Sequence, residues 1–217
     1  MPIKGMFTAG ACVLFERPVA LDKIVDVLTG FNVVKRIDES EHWEFRGPSL
    51  LIAFRPKVNG YVSVDTVDRA WPDDMGDPTT EHTVFGAWSM GHFGPFTFPG
   101  SFTRAAQHSW GWPEGKTIPE RHSAFVRIRA SYVFGAADSD LLFPADYDAV
   151  VELAFITDVA QAIMKLPGAL CYFNPNGESL RSLASVKESL AFAAEMKVPP
   201  LDVYCNVRLF NVDDAGS

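Results

Sequence analysis

Residues 71–112 limit the folding of this 217-residue chain more than any other stretch. Of these 42 positions, nine are aromatic, from Trp71 to Trp112, and six are glycine. Glycine and proline at this density rule out long regular structure over residues 86–100. So many aromatic side chains argue equally against disorder, because a disordered segment is poor in them. A long irregular stretch in a compact domain is either packed over the core or forms the wall of a site. A packed segment that plugs the core is the favoured expectation.

The flanks read differently. Ala11–Phe15 is a strand ended by Arg17-Pro18, and Leu21, Ile24, Val25 and Leu28 recur at helical spacing up to Gly30. Val33–Ile37 and Ser49–Phe54 follow as strands, and Asn59-Gly60 predicts a hairpin into Tyr61–Val67. Beyond the middle segment, Phe125–Phe134 alternates. Val126, Ile128, Ala130 and Tyr132 point one way, and Arg127, Arg129 and Ser131 the other. A long helix is expected over 145–166, stopped by Pro167-Gly168, then a strand over Ala169–Phe173. Ser179 is placed as the cap of a helix with the stripe Leu180, Leu183, Val186 and Leu190. Leu201–Val212 closes the chain as a strand.

The predicted class is α+β in one domain of 1–217, with helices on one face of a mainly antiparallel sheet. Two halves with a ferredoxin-like strand-helix-strand grammar, 1–70 and 123–217, are joined by the aromatic and glycine-rich segment 71–122. No residue-level repeat relates the halves.

Charge narrows the partners. The three regions hold 9 basic and 9 acidic residues, then 3 and 6, then 7 and 12, so the net charge of -8 belongs to the middle and C-terminal parts. Nucleic acid is excluded as the main partner, because phosphate binding needs surplus Lys and Arg. No apolar run approaches the roughly 18–20 residues that cross a bilayer. The apolar stretch Met6–Phe15 lacks the layout of a secretory signal, so the chain is expected in the cytoplasm, with no membrane partner. Cys12, Cys171 and Cys205 each sit in an apolar run and read as buried free thiols.

Catalytic patterns are sparse. Ala87-Trp88-Ser89-Met90-Gly91 is a variant of the nucleophile elbow, which requires a strand over 82–88 and a helix after Ser89. His92-Phe93-Gly94-Pro95 is a poor start for that helix. The histidines at 82, 92, 108 and 122 lack metal-ligand spacing, so no metal is expected. No glycine-rich phosphate loop opens a helix, and no cofactor is predicted. Arg127 and Arg129 share a strand face and form a candidate anion-binding pair, although such a pair more often answers nearby acids.

The run Ala105-Ala106-Gln107-His108-Ser109-Trp110-Gly111-Trp112 resembles the Gln-Ser-Trp motif of a bacterial family known as domain of unknown function 4261, with His108 inserted. Leu166–Phe173 is similar to that family's passage from a helix into a short aromatic strand. The family brings no established activity. The resemblance implies a bacterial accessory or immunity-type protein of a toxin or secretion locus.

The expectation is therefore a non-enzymatic protein that binds another protein, a basic one by charge, through Trp88, Phe93, Phe96, Trp110 and Trp112. The alternative is a small-molecule enzyme with a site around His92, His108 and Ser109, where Arg127 or Arg129 holds an anionic group. A structural subunit of a homo-oligomer is the second alternative.

Overall fold

The computed structural model describes residues 7–38, 45, 47–134 and 142–206. Its seven strands are β1 (Ala9–Phe15), β2 (Val33–Ile37), β3 (Ser49–Arg55), β4 (Gly60–Val67), β5 (Ala124–Ser131), β6 (Ala169–Asn174) and β7 (Ser179–Arg181). The helices are α1 (Leu21–Val27), α2 (His82–Ser89), α3 (Ser101–Gln107), α4 (Ile118–Arg121), α5 (Ala149–Ile163), α6 (Leu183–Met196) and α7 (Leu201–Tyr204). The class is α+β with an antiparallel sheet, as the alternation of strand and helix patterns predicts.

One sheet joins all seven strands in the order β2-β3-β4-β5-β1-β6-β7. The N-terminal strand lies between two strands of the C-terminal part, with Val13 paired to Val126 on one side and Tyr172 on the other. This merges the two expected halves into a single layer. The cause is visible in β1 itself: all seven residues of AGACVLF are buried. A run that is apolar on both faces has no solvent side to offer and needs cover above and below.

The two faces carry separate cores. On one, Val13, Phe15, Val64, Val126 and Tyr172 pack beneath α1 and α5, with Val186 of α6 and Val203 of α7. On the other, Cys12, Leu14, Phe125, Cys171 and Phe173 meet Trp71, Trp88, Phe93, Phe102 and Ile118 of the middle segment. Helices thus lie on both faces, because α2, α3 and α4 of the middle segment form a second covering layer. That layer is the plug expected from the aromatic content.

Four local expectations change. Residues 82–89 are helical instead of extended, since Val84, Ala87 and Trp88 recur at intervals of three and four and face the core. Ser101 does not cap α3. The remote Asp73 takes that role, its carboxylate accepting from the backbone N–H of Phe102 and Thr103, both at 2.8 Å. Ser179 belongs to β7, and the cap of α6 is Ser182, whose Oγ accepts from Ser185 N–H at 3.1 Å. Leu201–Tyr204 is a helical turn set off by Pro199-Pro200, and the rest of the strand expected to Val212 lies outside the described residues from 207 onward.

Candidate functional site

The alternation of β5 sends Arg127 and Arg129 to the face covered by the middle segment, opposite Asp65 of β4. All three side chains are buried. Arg127 donates from Nε to Asp65 Oδ2 at 3.0 Å and from Nη2 to the same oxygen at 2.5 Å. Arg129 Nη2 donates to Asp65 Oδ1 at 3.1 Å. Both guanidinium groups also converge on the main-chain oxygen of His92, at 2.6 and 3.0 Å, and Arg127 reaches that of Phe45 at 2.8 Å. The ring of Phe7 lies 3.8 Å from Arg129 Cζ.

The electrostatics follow from this geometry. Burial acts to raise the pKa of Asp65, but the charges and hydrogen bonds of Arg127 and Arg129 outweigh it and hold the carboxyl below its usual value. Burial, then the charge of Arg127, brings Arg129 down to about 9. Burial also pushes the neighbouring Cys12 thiol up to about 12, so no thiolate nucleophile stands here at neutral pH. The anion held by the predicted arginine pair is the chain's own Asp65. What the cluster does is fasten the irregular segment, through the carbonyl of His92, to the sheet beneath it.

The five aromatic residues expected at an interface separate into two groups. Trp88 and Phe93 are core: their rings stand 4.5 Å apart by centroid and both abut Trp71, at 6.1 and 5.2 Å. Trp112 is half-buried. Phe96 and Trp110 are 73% and 74% exposed. Sequence reasoning missed two exposed neighbours, Met90 and Phe98. A signal for Phe98 was present, because Phe96 and Phe98 sit between Gly94-Pro95 and Pro99-Gly100, a bracketed loop tip.

Phe96 has φ = 54°, in the left-handed region that a bulky L-residue rarely adopts. The loop that holds it there is tied at both ends. His92 is fixed by the arginines, and Gly100 N–H donates to the main-chain oxygen of Asp73 at 2.5 Å.

A cleft of about 200 Å³ opens where the end of α3 meets β7 and α7, and His108, Ser109, Trp110, Trp112, Arg181 and Asp202 are among its lining residues. The two candidate catalytic residues there are not engaged with each other. His108 Nδ1 lies 2.7 Å from the main-chain oxygen of Arg104, and Ser109 Oγ donates to that of Ala106 at 2.8 Å. His92 does not line the cleft. Ser89 is the last residue of α2 and is followed by turns, so the strand-Ser-helix geometry of an elbow is not formed. His122 is buried, and its Nε2 accepts from the backbone N–H of Trp71 at 2.9 Å. Burial lowers its pKa, and it serves as a neutral packing group.

One further buried acid escaped the sequence reading. Glu152, in the first turn of α5, accepts from Thr8 Oγ1 at 2.7 Å and from the Tyr147 hydroxyl at 3.1 Å. Burial raises its pKa. Among the described residues no group of three or more His, Cys, Asp or Glu side chains is arranged to hold a metal ion. Among the same residues no helix is long and apolar enough to cross a membrane. No protein-family model, curated protein or solved structure matches the chain.

Proposed function

We infer that the protein acts by docking onto another protein, through the aromatic loop 94–99, tied at both ends, and the exposed Trp110. The observation that carries this reading is Phe96, which combines a left-handed backbone with a 73% exposed ring. That backbone region costs an L-residue about 1–2 kcal/mol. A ring left in water returns none of the stabilisation that burial of an aromatic side chain supplies. Gly or Asn would serve the turn better. The arrangement makes physical sense when the ring is buried by a partner, as a pre-ordered anchor that loses little entropy on binding. Phe98 and Met90 extend the exposed apolar surface of the same segment.

The net charge of -8 favours a basic partner by long-range attraction. The resemblance of the run Ala105–Trp112 to domain of unknown function 4261 implies an accessory or immunity-type role beside a bacterial toxin or secretion component. The test is cross-linking and co-purification in the native host with wild type and with Phe96→Ser/Phe98→Ser as bait. A stoichiometric partner that the double variant loses, at unchanged thermal stability, is the expected result. Recovery of the same proteins by both baits would sink the assignment of the loop. Recovery of the chain alone at every salt concentration would sink the reading as a whole. A second copy of the chain held through Phe96 would show as a loop-dependent dimer in sedimentation.

A further inference from the structure

The cluster around Asp65 is short of one negative charge. Among the described residues, Asp65 is the one carboxylate that hydrogen-bonds to Arg127 or Arg129, so two buried guanidinium groups share a single anion. A charge left uncompensated away from water is costly. The shortfall falls on Arg129, because burial and the charge of Arg127 outweigh what Asp65 returns to it and bring its pKa down to about 9. Donors are in excess as well. An arginine side chain carries five N–H groups and accepts nothing. Nη1 of Arg129 donates to the main-chain oxygen of His92 and Nη2 to Asp65, while Nε is buried and has no hydrogen-bond partner among the described residues. Ser63 of β4 stands directly opposite Arg129 in the register of β4 and β5, so the two side chains share a face. Its Oγ is likewise buried without a partner. Next to it, Tyr61 of β4 and the paired Leu51 and Ala53 of β3 are only half-buried, so this side of the cluster borders solvent.

We propose that a small monovalent anion of chloride size binds beside Arg129, accepting from its Nε–H and from the Ser63 hydroxyl. A water molecule would take the same two hydrogen bonds but leave the surplus charge in place, whereas an anion answers both. A divalent anion would overshoot the single missing charge. Nη1 of the same guanidinium holds the carbonyl of His92, so the bound anion also steadies the point where loop 94–99 is tied to the sheet. The inference is independent of what that loop docks onto.

The test is thermal unfolding of the full chain at pH 7 and constant ionic strength, with sodium gluconate replaced stepwise by sodium chloride. Gluconate is too bulky for the position, and constant ionic strength holds general screening fixed. The expected result is a melting temperature that rises with chloride. Above the dissociation constant, each tenfold rise in chloride multiplies the folding equilibrium constant about tenfold. Ser63→Ala removes a hydrogen bond to a charged group and weakens chloride binding about tenfold. Arg129→Met abolishes the response. Ser63→Ala leaves the ion pairs with Asp65 intact, so the test stands even where Arg129→Met does not fold. Crystals grown in sodium bromide show an anomalous peak between Arg129 Nε and Ser63 Oγ. Equal melting temperatures in chloride and gluconate would overturn the proposal, as would a chloride response that Ser63→Ala leaves unchanged. A bromide peak with no chloride response in solution marks an adventitious ion only and overturns it equally. So does a water molecule in that place in the bromide crystals.

Discussion

Replacing Asp65 with Asn tests the fastening of the middle segment directly. Asparagine keeps the size of the side chain and one acceptor oxygen but removes the charge. In the wild type one carboxylate faces two buried guanidinium groups through contacts of 3.0, 2.5 and 3.1 Å, leaving a local charge of one positive unit. In the variant that becomes two positive units in the same enclosed volume. Removing one partner of a buried ion pair typically costs about 3–5 kcal/mol, because the remaining charge stays desolvated. Here the remaining charges are two, so the expected loss lies in that range, out of a total stability on the order of 5–15 kcal/mol. Arg129→Met costs less than Asp65→Asn, since it removes surplus positive charge and Arg129 Nε is buried with no hydrogen-bond partner. The assay is urea unfolding at pH 7 followed by tryptophan fluorescence, to which the buried Trp71 and Trp88 report. Limited proteolysis at Phe96 and Phe98 should accelerate in Asp65→Asn, because the carbonyl of His92 loses its positioned donors. The pH dependence has a definite sign. Asp65 titrates lower in the folded chain than in the unfolded chain. Its contribution is therefore complete above the unfolded value of about 3.9 and is lost as pH falls through the folded value. A loss below about 1 kcal/mol for Asp65→Asn at pH 7 would refute the fastening argument.

Phe96→Gly should raise stability by about 1 kcal/mol, read as a higher melting temperature, because glycine occupies φ = 54° without strain. The same variant should lose the partner, so a variant that is both more stable and inactive is the signature of a functional strain. Glu152 titrates higher in the folded chain, so its favourable contribution is present below the unfolded value of about 4.3 and is lost as pH rises through the folded value. Glu152→Gln should therefore gain on wild type between pH 4 and pH 8 in parallel denaturation curves, and a constant difference would show that Glu152 is not desolvated as described. Thiol titration at pH 8 should find Cys205, which is half-buried, reactive in the native protein, while Cys12 and Cys171 react only in denaturant. Rapid native reaction of more than one thiol would contradict the burial of β1 and β6.

Local patterns were legible where one face of an element decides its fate. The alternation in β5 separated Val126, Ile128 and Ala130 from Arg127 and Arg129 correctly, because a strand offers only two directions. The hairpin at Asn59 held for a similar reason, since Asn59 adopts φ = 57° just ahead of β4. Non-local partners were out of reach. Asp65 pairs with arginines more than sixty positions away, and nothing in either segment marks the other. Asp73 caps α3 from 29 positions upstream, so a search for a neighbouring Ser found Ser101 instead.

The aromatic residues show where pattern reading runs out. Phe93 and Phe96 are three positions apart, equally apolar and flanked by the same Gly-Pro punctuation, yet one is 1% exposed and the other 73%. Between them the backbone turns through Gly94 at φ = 126° and then Phe96 at φ = 54°. Helical or strand periodicity assigns no direction to a side chain in such conformations, so composition alone put both residues in one interface. The structure divides the segment by depth. Trp71, Trp88 and Phe93 form the underside that seals the sheet, and the arginine-bound carbonyl of His92 marks the level at which the chain surfaces. Above that level Phe96, Phe98 and Trp110 contribute nothing to the core, so their aromatic character calls for a reason other than folding. A mutational scan should divide in the same place: substitutions at Trp88 or Phe93 lower stability, whereas those at Phe96, Phe98 or Trp110 leave it unchanged or raised and act on binding alone.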